Sequence, residues 1–249
     1  METLWLLIPL FFLTALVYSM AGFGGGSTYL ALLALFSFPY KAMPQVSLLC
    51  NLVVVAGGCW FFYQAGHFSF KRVLPFILTS IPMAYWGGSI LVSKKLFSLL
   101  LGFSLCMAAF RMLISDQALE SRLSISWKKS WMVGLPLGAL LGFLSGLVGI
   151  GGGIYLSPLL LLLGWADSKQ ASAAASFFIL VNSLAGLAGQ INKSGFMLQN
   201  EGTLLLMGVV FLGGQIGSRL GSQFLSKLVL QRVAAVLILF VGVRLIGGK

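Results

Sequence analysis

The chain has 249 residues, of which 59% are hydrophobic and only 8% charged, with a formal net charge of +11 and a mean hydropathy of +1.00. A soluble globular domain carries about a quarter of its residues as Asp, Glu, Lys and Arg, so this composition excludes one and specifies an integral membrane protein. The Lys and Arg residues flank apolar runs in short clusters, which marks them as topology determinants and lipid-headgroup contacts rather than a nucleic-acid surface.

Between those clusters lie long uncharged runs, among them 73–93, 96–110, 170–192 and 202–218, with the spacing of helices that cross a hydrocarbon core about 30 Å thick. The first run, residues 4 to 37, would extend about 51 Å as one straight helix, so it has to tilt, kink or turn back. Gly22-Phe23-Gly24-Gly25-Gly26-Ser27-Thr28 supplies the interruption. This predicts a helix over about 4 to 21, a break at 22 to 27, and a short helix from Thr28 to Phe38 stopped by Pro39. Spans at about 42–64, 73–93 and 96–114 complete a first membrane repeat, residues 1–114. The first helix lacks a basic leader before its apolar run and is expected to remain in the mature protein.

Residues 115–130, with Asp116, Glu120, Arg122, Lys128 and Lys129, form a polar connection between halves. Residues 131–249 repeat the plan: a long run from Trp131 to Leu163 containing Gly149-Ile150-Gly151-Gly152-Gly153-Ile154-Tyr155, then spans at about 170–192, 202–218 and 228–246. Gly22, Gly24, Gly25 and Gly26 map onto Gly149, Gly151, Gly152 and Gly153 with an offset of 127; Ser47, Gly57 and Gly66 map onto Ser176, Gly186 and Gly195 with 129; Lys94 and Arg111 map onto Lys227 and Arg244 with 133. The fold class is thus an all-α integral membrane protein with about eight transmembrane segments in two homologous halves, each opening with a Gly-broken helix. Four full spans per half would make the repeats parallel, and a segment that turns back would make them inverted. With eight spans, the positive-inside rule puts both termini and the connection on the cytoplasmic side, by nine Lys and Arg against seven. Gly134, Gly138, Gly142 and Gly146, and likewise Gly213, Gly217 and Gly221, form small-residue stripes suited to close helix packing.

Non-helical backbone at membrane depth is tolerated only where protein buries it or it lines a cavity, and paired interrupted helices in two halves point to the binding site of a secondary transporter. The candidate substrate residues are therefore Gly24, Gly25, Gly26, Gly151, Gly152 and Gly153, whose amides can face a ligand with no Cβ in the way. A half-helix beginning at Ser27 or Ile154 adds a positive dipole end. That arrangement suits an anion, although backbone carbonyls could instead hold Na⁺. Ser27, Thr28 and Tyr155 follow the glycines with hydroxyls, and Asn51, Asn182 and Gln215 are amides inside spans, where polar groups generally face the bundle interior.

All five acidic residues, Glu2, Asp116, Glu120, Asp167 and Glu201, fall at span ends or in the connection, and the sole histidine, His67, sits at an interface. Cys50, Cys59 and Cys106 lie in apolar runs without metal-ligand spacing. No metal site, cofactor or enzymatic activity is expected, because catalysis would want a nucleophile and base or a ligand cluster converging in a pocket.

The A-G-F-G-G-G-S of residues 21–27, the G-L-V-G-I-G-G-G of 146–153 and the G-G-x-x-G of 213–217 resemble the TauE/SafE family over about residues 4 to 246. These are bacterial membrane proteins named for proposed sulfite and organosulfonate exporters. The resemblance implies a multi-pass transporter of the bacterial inner membrane whose substrate is a small anion such as a sulfur oxyanion or organosulfonate. The alternative is a non-transporting membrane scaffold or assembly factor. Expected partners are that anion and the lipid bilayer, with H⁺ or Na⁺ as a coupling ion and a second copy of the chain as further candidates; nucleic acid is not among them.

Overall fold

A computed structural model of the chain describes residues 2–113, 127–197, 201–223 and 228–247. The described residues form ten helices: α1 (Glu2–Met20), α2 (Gly26–Leu35), α3 (Met43–Gln64), α4 (Phe70–Ser89), α5 (Lys94–Leu113), α6 (Trp127–Val148), α7 (Gly153–Leu162), α8 (Ser168–Ser194), α9 (Glu201–Gln223) and α10 (Leu228–Ile246). The chain is all-helical, and Met43–Gln64, Ser130–Val148, Ser168–Ser194 and Gly202–Leu220 are long and apolar enough to cross a membrane by length and composition. Five of the described helices precede residue 114 and five follow residue 126.

Polarity is distributed as lipid demands. Leu96, Leu99, Phe103, Met107 and Phe110 lie exposed along one face of α5, while Ser80, Asn51 and Ser176 are fully buried. Between helices no hydrophobic drive exists in hydrocarbon, so contact depends on close backbone approach. The glycine stripe of α6 provides it: Gly134, Gly138, Gly142 and Gly146 lie directly on Pro75, Phe76, Ser80 and Ala84 of α4. Gly213 and Gly217 of α9 lie on Phe12 and Leu16 of α1 in the same way. Gly221 lies outside the residues whose side-chain surroundings are described.

The long first run turns back on itself. Tyr29 of α2 stacks on Phe11 of α1 with ring centroids 4.7 Å apart, and Thr28 donates to the Tyr18 hydroxyl at 2.6 Å, so α2 descends beside the helix that preceded it. The reversal needs left-handed backbone at the start of each short helix. Gly25 (φ +90) caps α2 and Gly152 (φ +75) caps α7, a conformation that costs an L residue roughly 1–2 kcal/mol. At the other end of α2, Ser37 takes φ +57 and its equivalent after α7, Gly164, takes φ +66. Both turns close with the same pair of bonds: Phe38 N–H to Leu33 O at 2.8 Å and Trp165 N–H to Leu160 O at 2.9 Å.

Corresponding helices of the two halves run in opposite directions. The start of α3 meets the end of α8, where Gln45 donates to Gly195 O at 2.9 Å, and the far end of α3 meets the start of α8, with Gly58 beside Ser176. Likewise Gly102 of α5 faces Ile246 of α10 while Cys106 faces Gly242. Every major pairing has a counterpart with the halves exchanged: α4 on α6 and α9 on α1, α3 on α9 and α8 on α4, α3 on α8, α5 on α10. Corresponding helices of the two halves thus run antiparallel and pack on matching partners, the arrangement of an inverted repeat.

This corrects the expected placement of the connection. Each half contributes a hairpin and three full-length helices, an odd number of passes, so α5 ends and α6 begins at the end of the bundle opposite to Glu2 and Ile246. Residues 114–126 themselves lie outside the described residues. Among described residues, eight Lys and Arg adjoin that connection end (Lys71, Arg72, Arg111, Lys128, Lys129, Lys169, Arg219, Arg232) and five adjoin the terminal end (Lys41, Lys94, Lys95, Lys193, Arg244). The positive-inside rule then reverses the orientation expected from eight spans. A C-terminal alkaline phosphatase fusion is expected to be active outside the cytoplasm and a C-terminal fluorescent-protein fusion dark; the opposite pattern would overturn the assignment.

Candidate functional site

The two breaks meet at the centre of the bundle, with Asn51 of α3 between them. Its Nδ2 donates to Ile150 O at 3.2 Å, which fixes the amide's orientation, so that Oδ1 lies nearest Gly24 and Nδ2 nearest Gly26. A Cβ on Gly26 would come 2.7 Å from Ile150 O and one on Gly151 would come 2.9 Å from Asn51 Nδ2. Glycine at both positions is thus required by the approach of the other half, and at Gly151 (φ +86) by the turn as well.

A reciprocal pair of bonds fastens the crossing. Ser47 of α3 donates to Gly149 O of the second break at 2.8 Å, and Ser176 of α8 donates to Gly22 O of the first at 2.8 Å. Ser47 and Ser176 are equivalent positions, as are Gly22 and Gly149. Each half therefore holds the other half's break open by the same contact, and no local rule of turn formation would place these bonds.

What the crossing leaves over is a set of donors. Among the described residues no protein atom accepts the backbone N–H groups of Gly24 to Thr28 or of Ile150 to Ile154, and all ten residues are buried. Helix starts leave such groups unpaired by construction, usually at a surface where water takes them. Here they lie in the interior, where an unsatisfied amide costs about 1–3 kcal/mol. Beside them Asn51 Oδ1, Ser183 Oγ and Tyr29 Oη are also buried without a hydrogen-bond partner; Ser183 lies next to Gly151 and Tyr29 next to Gly25.

The sequence-predicted residues fall into three groups. Gly24, Gly25, Gly26, Gly151 and Asn51 come together at the crossing, and Gly152 and Gly153 follow directly, the latter against Ile179 and Ala175 of α8. Ser27 and Thr28 turn to Tyr18 of α1, with Ser27 Oγ 3.4 Å from its hydroxyl. The rest are engaged elsewhere: Tyr155 donates to Ser104 O on α5 at 2.6 Å, Asn182 donates back to Phe178 O within α8 at 2.8 Å, and Gln215 packs on Gly57. Sequence reasoning missed Tyr18, Tyr29, Ser47, Ser176 and Ser183. Ser47 and Ser176 were visible as anchors of the duplication, and nothing in their local context marked them as cross-half donors. Groups of three or more His, Cys, Asp or Glu able to hold a metal ion are absent among the described residues.

An inverted pair of glycine-broken helices meeting at mid-bundle, wrapped in an apolar exterior, defines a polytopic membrane transporter. The sequence profile of the family described as sulfite exporter TauE/SafE matches residues 7–245, and the chain belongs to that family. It is 34% identical over 238 residues to the probable membrane transporter protein y4hK of Sinorhizobium fredii, covering 95% of each chain. Over 114 residues it is 33% identical to the probable membrane transporter protein YunE of Bacillus subtilis, covering 46% of this chain and 41% of the relative. No solved structure matches the chain.

Proposed function

We propose that the protein is a secondary carrier of a small anion, a sulfur oxyanion or organosulfonate, bound where the two glycine breaks meet. The observation that carries this reading is that two helix starts lie buried side by side between the halves with backbone N–H groups that no described protein atom accepts. Each helix start contributes the equivalent of about half a positive charge, and together they are selective for negative charge without a fixed cation. An anion held by dipoles and amides alone can leave again, as a carrier requires. The family description names sulfite, which a ring of short donors fits because its three oxygens each accept hydrogen bonds. No G-x-x-x-x-G-K-[ST] motif occurs in the chain, so the energy source within it is a gradient. A membrane scaffold would leave the ten buried donors without a role.

Purified protein in liposomes is expected to move radiolabelled sulfite or a two-carbon sulfonate at a rate well above protein-free vesicles, and to move a zwitterion or a cation no faster than background. Transport of none of the anions in a panel of sulfite, sulfate, thiosulfate and short sulfonates would sink the proposal.

A further inference from the structure

Described positions at the two ends of the molecule have counterparts in the other half, and Arg244 and Arg111 differ in their surroundings. At the terminal end, the last turn of α2, the start of α5 and the end of α10 enclose a cavity of about 850 Å³. Lys94, Lys95 and Arg244 line it and are exposed, the hydroxyl-bearing Ser37, Tyr40 and Ser98 line it too, and no acidic residue is among its described lining. Ser37 holds left-handed backbone there, at φ +57, where its equivalent in the other half is Gly164. A side chain is thus kept at a position that favours glycine, and it faces the cavity.

At the connection end the position equivalent to Arg244 is Arg111, and its surroundings are opposite. Arg111 is only 9% exposed, with its guanidinium 5.9 Å from the ring of Phe23 in the first break. One position of the repeat therefore opens onto a cavity at one end and is folded down onto a break at the other. Two halves of common design in different conformations are what a carrier with inverted repeats presents when one end is accessible and the other closed.

We propose that the cavity is the anion-entry vestibule of the terminal end, taking a small oxyanion or sulfonate on Lys94, Lys95 and Arg244. Arg111 plays the same part at the connection end when the halves exchange conformations. The inference rests on the anion-carrier reading of the breaks. A cavity of one sign of charge with low-dielectric walls concentrates the opposite ion and raises its arrival rate. An anionic phospholipid headgroup presents the same chemistry, and Leu35, Leu99 and Ile246 at the cavity's edge face lipid, so the test has to separate the two sources.

In a background with Cys50, Cys59 and Cys106 replaced by Ala, the Arg244→Cys and Arg111→Cys variants are reconstituted in zwitterionic phosphatidylcholine vesicles. Both are treated with membrane-impermeant thiosulfonate reagents, one anionic and one cationic. The Arg244→Cys variant is expected to react at least about tenfold faster than Arg111→Cys. Adding Lys94→Gln and Lys95→Gln should slow the anionic reagent and leave the cationic one unslowed. Methanesulfonate should protect position 244 in the absence of any anionic lipid. Equal rates at the two positions, or an anionic-to-cationic ratio indifferent to the lysines, would overturn the vestibule. Protection by added phosphatidylglycerol but not by methanesulfonate would make it a lipid site instead. Should the Arg111→Cys variant not fold, the lysine dependence at position 244 decides alone. None of these readouts requires turnover, so a charge-selective vestibule in a protein that fails the liposome flux assay would refute the carrier reading and leave the anion site standing.

Discussion

Replacing Asn51 with aspartate is expected to reduce anion transport by about a thousandfold while the protein still reaches the membrane. Asn51 is fully buried, its Nδ2 holds Ile150 O, and its amide lies against both Gly24 and Gly26. A carboxylate would remove the donor that joins the breaks and set a negative charge beside the proposed anion. At a separation of about 4 Å and an effective dielectric constant of about 20, the repulsion is about 4 kcal/mol, and about 1.4 kcal/mol corresponds to a factor of ten. Asn51→Leu separates the two contributions, since it removes the donor at similar volume without adding charge, and its flux should fall less than that of Asn51→Asp. Liposome flux measured against membrane abundance checks both. Wild-type flux in Asn51→Asp would remove the crossing of the breaks as the binding site.

Gly146→Val is expected to act on the fold itself, with little folded protein recovered. Gly146 is the point where three helices converge: its Cα lies directly on Ala84 of α4 and beside Gly186 of α8, and its carbonyl accepts from Gln190 Nε2 at 2.8 Å. A Cβ there meets backbone atoms of a facing helix, which cannot rotate away as a side chain could. Overpacking a well-fitted core costs about 1–3 kcal/mol and occasionally more, and a backbone collision at a junction belongs at the upper end of that range. Gly208→Val is the matched control, because nothing lies within 4 Å of its Cβ position. Size-exclusion profiles and melting temperatures in detergent should separate the two variants, and a Gly146→Val protein as stable as Gly208→Val would show that α4 and α6 can part without cost.

The crossing was legible in part because its two components are written locally. Gly24 to Gly26 and Gly151 to Gly153 interrupt apolar runs too long for one span, and a break in hydrocarbon is costly enough to mark a site wherever it occurs. Asn51 was legible as a polar group inside a span. Tyr155, Asn182 and Gln215 carried the same kind of signal, yet they bond to Ser104 and Phe178 or pack on Gly57, because a buried amide or hydroxyl satisfies itself with whatever the packing brings near.

By itself the sequence determined the membrane class, the all-helical fold and the positions of both breaks. Each of these follows from hydropathy over a window or from glycine's backbone freedom, and both act within a few residues. The tertiary structure alone decided that α2 turns back along α1, that the halves are inverted, and that α5 and α6 meet at the end opposite the termini. It alone placed Ser47 on Gly149 and Ser176 on Gly22. Those two bonds join residues more than 100 positions apart through backbone carbonyls that every residue carries and no side chain advertises.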